Sequence, residues 1–275
     1  MTVWINGELV PDAAARVSVL DHGLTTGDGI FEALKIAGGV PFALTRHLDR
    51  LRASAVGLRL PPPDGDAVRA GVAAVLAAAG HPDQGRIRIT VTAGGDTLGS
   101  ERKAGAEPTV IVVLGPGRDP AADCAVVTLP WPRNERGALA GVKSTSYAEN
   151  VVGLAYARER GALEGVFGNL AGNLCEGTGT NVFLARDGRL ITPPLSAGCL
   201  AGVTRGLVAE WAGAAEEDVP LGALTQADEA FLTGTSRDVL PIRQVDGVAL
   251  AACPGPVTRK AAEIFAARAA ESPDP

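Results

Sequence analysis

Gly115-Pro116-Gly117-Arg118-Asp119-Pro120 is the stretch that most limits how this chain can fold. Two prolines and two glycines in six residues cannot continue a helix or a central strand, so the run divides the chain. A length of 275 residues suits one large domain or two modest ones, each with its own core. We place the boundary there: a smaller N-terminal α/β domain, 1–117, and a larger C-terminal one, 118–275.

Strand and helix patterns alternate on both sides. Val3-Trp4-Ile5 and Glu8-Leu9-Val10 flank Asn6-Gly7, the two-residue turn typical of a hairpin. Ile30 to Ile36 alternates as a strand and turns at Gly38-Gly39. Thr45 is placed to cap a helix from Arg46 to Gly57, with Leu48, Leu51, Ala55 and Leu58 on its core face. Asp66 to Ala79 reads as a second helix; 86–92 and 109–114 read as β-branched strands. Beyond the boundary, 124–129, 162–170, 180–185, 189–192 and 230–233 read as strands. Helices are expected over 145–161, 204–212 and 259–270, the first with Val151, Leu154 and Ala155 inward. The tail, Glu271 to Pro275, reads as frayed. The fold class is α/β (α+β), in two domains.

Composition narrows the function. Apolar residues make up 46% and aromatics 4%, as in a soluble enzyme packed with Ala, Val and Leu. A net charge of −6 without any basic block argues against nucleic acid as a partner. Four scattered cysteines without CxxC spacing point to a reduced, cytoplasmic protein, and neither they nor the three histidines suggest a metal. The N-terminus has no signal-peptide pattern, and no apolar run is long enough for a membrane span.

Several residues invite chemistry. Glu176, in Leu174-Cys175-Glu176-Gly177-Thr178-Gly179-Thr180-Asn181, is either a solvated loop acid or a buried carboxylate with a cationic partner. Lys143, the sole lysine between Lys103 and Lys260, follows the apolar Leu139-Ala140-Gly141-Val142. It is either a surface charge or an amine whose partial desolvation favours the neutral, nucleophilic form. Tyr147 stands four residues on, as core or as a phenolic hydrogen-bonding group. Arg50 is either a helix-surface cation or a planar clamp for a phosphate, with Arg46 the next choice. Leu200, Gly202, Val203 and Thr204 open a helix whose first N–H groups suit an anion. Thr235 and Ser236 add hydroxyls after a strand. An amine nucleophile, an anion clamp, two turns rich in amides and hydroxyls, and a carboxylate for a ring nitrogen form the set that pyridoxal 5'-phosphate requires.

Those residues fall in motifs that occur in one order: WINGELV, GDGIFEAL, RHLDRL, KSTSY, CEGTGTNVF, LAGVTR, TGTSRDV and a VDG at 245–247. Over nearly its whole length the chain resembles the class IV aminotransferases, fold type IV of the pyridoxal-phosphate enzymes. The resemblance implies that Lys143 carries the cofactor as a Schiff base, Glu176 faces its ring nitrogen and Tyr147 contacts its ring oxygen. Arg50, Val203, Thr204 and Thr235 would hold the phosphate, with Leu200, Gly202 and Ser236 in the same turns. It further implies a homodimer with the site between domains. Phe31 is the expected substrate-facing side chain, and the loop around 93–100 is expected to reach the neighbouring subunit.

Within the family, VTAGGDTLGS lacks the Thr-Arg-Gly carboxylate trap usual in D-amino-acid aminotransferases. Ile87-Arg88-Ile89 lacks the tyrosine usual in branched-chain enzymes. The chain looks most like the aminodeoxychorismate lyases, which release pyruvate and form 4-aminobenzoate, a folate precursor. The alternative is a class IV aminotransferase acting on branched-chain or D-amino acids with a 2-oxo acid acceptor. A binding-only relative is a third reading, which the full set of cofactor residues disfavours.

Overall fold

A computed structural model describes residues 1–95, 97–117 and 121–275. Arg118, Asp119 and Pro120, at the expected boundary, and Asp96, in the 93–100 loop, lie outside the described residues. The chain forms two compact units. One gathers Met1–Arg118, Val142–Tyr147 and Pro273–Pro275; the other gathers Asp119–Gly141 and Ala148–Ser272. Lys143 therefore belongs with the first unit, although in sequence it lies beyond the boundary.

In the first unit, β1 (Thr2–Ile5) and β2 (Glu8–Val10) form the expected hairpin, with Asn6 and Gly7 both at positive φ. After a short helix α1 (His22–Thr25) come β3 (Gly29–Ala37), β4 (Val40–Pro41), α2 (Leu44–Gly57), α3 (Gly65–Ala78), β5 (Gln84–Thr92) and β6 (Thr109–Gly115). The described strands make an antiparallel sheet in the order β2-β1-β6-β5-β3-β4. Strict alternation drives it: Ile30, Leu34, Ile36, Ile87, Ile89, Val91, Val112 and Leu114 share one face and are buried with Leu51 and Ala55 of α2 and Val68, Val72 and Val75 of α3. Gly71 permits the close approach of α3, since a Cβ there would come within 2.9 Å of the Trp4 ring.

The α2 helix starts differently from expectation. Its N-cap is Ala43, at φ 54°, and Thr45 lies inside the first turn. The cap comes from the far end of the chain: the Asp274 carboxylate accepts from the Thr45 N–H at 2.8 Å and from its hydroxyl at 2.6 Å. The Ala43 N–H donates to the Pro273 carbonyl, and Arg46 Nε to that of Pro275 at 2.9 Å. The tail is thus an ordered strap rather than a frayed end, because α2 offers it unsatisfied N–H groups.

The second unit contains β7 (Cys124–Thr128), α4 (Ala148–Glu159), β8 (Glu164–Gly168), β9 (Leu174–Gly177), β10 (Asn181–Arg186), β11 (Arg189–Thr192), α5 (Val203–Ala212), β12 (Ala215–Glu216), β13 (Glu229–Gly234), β14 (Asp238–Val245), β15 (Val248–Ala249) and α6 (Pro256–Glu271). Its described strands form a mixed sheet ordered β12-β11-β10-β13-β14-β7-β8-β9, with β15 on β14. Val182, Leu184, Leu232, Leu240 and Ile242 face one core. Phe183 and Phe231, stacked at 4.9 Å, face the opposite way. The expected inward face of α4 is not the one used: Val151 is 63% exposed, and Asn150, Gly153 and Ala157 are buried. Gly153 decides this. A Cβ there would meet Leu129 at 2.8 Å and Phe167 at 3.3 Å, so the small-residue stripe gives the closer packing.

Candidate active site

In the first unit the site grows out of β3. The segment 142–147 lies along that strand: Phe31 N–H donates to the Lys143 carbonyl at 3.0 Å, Ser144 bridges to Ile30, and Thr145 N–H donates to the Gly29 carbonyl at 2.7 Å. The Thr145 and Ser146 hydroxyls both donate to the Gly27 carbonyl at 2.9 Å. This frame places the Lys143 ammonium 4.3 Å from the Phe31 ring centroid, with Tyr147 edge-on to the same ring at 5.2 Å. The Arg88 guanidinium also stacks on Phe31, at 3.9 Å. An apolar wall thus stands beside an amine, a phenol and a guanidinium.

On the other face of β3 a carboxylate sits in the core. Glu32 occupies the register of Ile30, Leu34 and Ile36 and is fully buried. Arg50 of α2 grips it with Nε and Nη2, at 2.8 and 2.7 Å, and His47 Nδ1 lies 2.6 Å away. Burial alone would push the Glu32 carboxyl up, but the Arg50 charge and the hydrogen bonds from Arg50 and His47 hold it down at about 2. Burial, reinforced by the charges of Arg50 and Lys143, keeps His47 below the usual imidazole range against the pull of Glu32. Against the anionic Glu32 carboxylate, His47 Nδ1–H is the donor in their contact.

In the second unit Glu176 is the penultimate residue of β9. Its Oε2 accepts from the Leu200 N–H at 2.9 Å, and its Oε1 lies 3.3 Å from Arg133 Nε. Of the two readings left open by the sequence, the buried carboxylate with a cationic partner is the one found. The Leu200 carbonyl accepts from Asn181 Nδ2 at 2.9 Å, which joins the 198–202 turn to β10. Gly202 must be glycine, since a Cβ would fall 2.0 Å from Asn181 Oδ1. Gly202 caps α5 without a side chain, so the Val203 and Thr204 N–H groups open a helix end built for an anion. Across the ladder Asn181 faces Thr233, whose hydroxyl is buried without a hydrogen-bond partner. Thr235 and Ser236 follow in the turn closed by Arg237 N–H to the Gly234 carbonyl at 2.9 Å. Burial pushes the Cys199 thiol up to about 12 and Cys175 higher still, so neither neighbour of Glu176 competes as a thiolate.

The family model for class IV amino-transferases matches residues 29–245. The chain belongs to the class IV aminotransferase family. It is 33% identical over 257 residues to a putative branched-chain-amino-acid aminotransferase of Methanocaldococcus jannaschii, covering 90% of this chain and 88% of that protein. The Escherichia coli branched-chain amino acid aminotransferase superposes with a TM-score of 0.91 at 28% identity, over 97% of this chain and 93% of that one. A hypothetical aminotransferase from Mycobacterium tuberculosis, solved in its pyridoxal-phosphate-bound form, gives 0.86 at 26% identity over 97% and 98%.

This class IV aminotransferase-family enzyme uses pyridoxal phosphate, and its residues fit that group. An uncapped helix end and an orphaned buried hydroxyl suit a phosphate, and a fixed carboxylate suits a ring nitrogen. The first unit brings together Phe31, Lys143 and Tyr147. The second brings together Glu176, Leu200, Gly202, Val203 and Thr204, with Thr235 and Ser236 on the neighbouring turn. Arg50 is fixed on Glu32. Four polar residues at these positions were not anticipated: Glu32, His47, Arg88 and Arg133. A carboxylate in the core register of β3 was the available signal for Glu32; Arg133, in a loop after Trp131-Pro132, gave none.

Proposed function

We propose that the enzyme transfers an amino group from a branched-chain-type amino acid to a 2-oxo acid. The observation that carries this reading is the Phe31 wall, with the Lys143 amine 4.3 Å from its ring and the Arg88 guanidinium 3.9 Å from it. An apolar side chain rests on such a wall, while a guanidinium takes a carboxylate. Similarity to the M. jannaschii and E. coli branched-chain aminotransferases favours this over the lyase reading suggested by the loop sequence.

Bound pyridoxal phosphate supplies the electron sink for the pair left when the substrate's α-proton departs. Lys143 would hold the cofactor covalently, and its Nζ, freed when the substrate's amino group takes its place, would be the base that moves the α-proton. Glu176 keeps a proton on the ring nitrogen. Tyr147 donates to the ring oxygen. Arg50, the Val203 and Thr204 N–H groups, Thr235 and Ser236 bind the phosphate, and Leu200 and Gly202 shape their turn. We further propose a cytoplasmic homodimer. Val19 is 77% exposed, Leu24 66% and Leu98 86%, on segments tied together by the His22–Thr97 bond of 2.8 Å, and apolar side chains so exposed suit a partner surface.

Purified holoenzyme should convert L-leucine, L-isoleucine or L-valine with 2-oxoglutarate to glutamate, with D-amino acids assayed beside them. Pyruvate and 4-aminobenzoate formed from aminodeoxychorismate, without amino transfer, would restore the lyase reading.

A further inference from the structure

Arg133 reaches Glu176 from a loop between β7 and α4, and nothing in the reaction described so far requires it. Its backbone N–H donates to the Gly168 carbonyl at 2.7 Å, and its guanidinium carbon lies over the Phe167 ring, 4.1 Å from the centroid. Nη1 pairs with Glu149 at the start of α4. Asn150, next along, donates to the Thr178 carbonyl at 2.6 Å, so this end of α4 is itself moored to the turn after Glu176. Arg133 and Glu176 side chains are only 14% and 12% exposed, which leaves little water to screen them. Nε is buried, 3.3 Å from Glu176 Oε1, yet makes no aligned hydrogen bond. It acts on the carboxylate through charge and contact.

The geometry points to Arg133 as a positioning residue that, with the Leu200 N–H, sets the orientation and charge of Glu176 toward the cofactor's ring nitrogen. This rests on the proposed role of Glu176. A carboxylate held at one oxygen by a backbone N–H can still swing about that bond. Contact at the other oxygen stops the swing, and the positive charge favours the anionic form that a ring N–H needs as its acceptor. Glu149 in turn stops Arg133 from turning toward solvent. The stack on Phe167 holds the guanidinium plane, which lysine cannot reproduce although it keeps the charge.

The test uses holoenzyme reconstituted with pyridoxal phosphate carrying nitrogen-15 in its ring, whose chemical shift reports protonation of that atom. Arg133→Gln is expected to move the signal away from its wild-type position and to lower kcat roughly 10- to 100-fold, with KM and cofactor affinity held within about threefold. Arg133→Lys should recover part of both. Glu149→Gln, at a side chain 50% exposed, loosens Arg133 without touching Glu176 and should move the signal the same way by less. If Glu176→Gln displaces the signal while Arg133→Gln leaves signal and kcat at wild type, the proposal is overturned and the role of Glu176 stands. If Glu176→Gln also leaves the signal unmoved, the reading of the site itself fails. Should Arg133→Gln not fold, Arg133→Lys and Glu149→Gln decide: wild-type signals in both overturn the proposal.

Discussion

Replacing Glu32 by glutamine should strongly destabilise the first unit. The side chain is fully buried, and Arg50 and His47 both bond its carboxylate. Holding the carboxyl at about 2 rather than its ordinary 4.5 corresponds to roughly 3 kcal/mol of stability. Glutamine forfeits that and leaves the Arg50 guanidinium buried without its anion, so we expect a loss of about 3–5 kcal/mol at pH 7. The sign with pH follows from the direction of the shift. A depressed carboxyl lends its full stability above 4.5 and surrenders it as pH falls toward 2. Wild type should therefore weaken more than the variant through that window, and the gap between the two curves should narrow. Urea unfolding of the cofactor-free protein at pH 7 and pH 3 measures both quantities. A loss below about 1 kcal/mol at pH 7, or a gap that stays constant on acidification, would refute the reasoning.

Lys143→Ala should lose covalent attachment of the cofactor, read by mass spectrometry after borohydride reduction, and turnover should fall by orders of magnitude. Arg50→Ala should weaken cofactor binding by roughly 2–4 kcal/mol in equilibrium titration, more than it slows turnover at saturating cofactor. Asp274→Ala removes the carboxylate that caps α2 and should lower stability by about 1 kcal/mol in urea unfolding, with activity retained.

Much of the fold was legible because its signals are local. The Asn6-Gly7 turn, the alternation of β3 and β5 and the Gly202 opening of α5 all appear where local chemistry puts them. Failures came where the partner is distant in sequence. Thr45 looked like a cap because Asp274 is 229 residues away. Val151 looked like core because the approach of Leu129 and Phe167 to Gly153 cannot be read from α4 alone. In the candidate site, the opening of α5 after Gly202 was readable, because helix-end signals are local. Glu32, Arg88 and Arg133 were not, since each acquires meaning only through a side chain on another element. The lyase reading rested on one loop, which says little about what the Phe31 wall accepts, and the relatives favour amino transfer over it.

The strap at Pro273–Pro275 has a consequence for synthesis. A ribosome exports β1 through β6 early, yet the unit they form also needs Val142–Tyr147 along β3 and Asp274 on the first turn of α2. A nascent chain stopped near residue 117 holds an open edge on β3 and an uncapped helix, and must wait for almost all the remaining polypeptide before either is covered. Residues 1–117 on their own would thus lack both the strand edge partner and the helix cap that their unit uses.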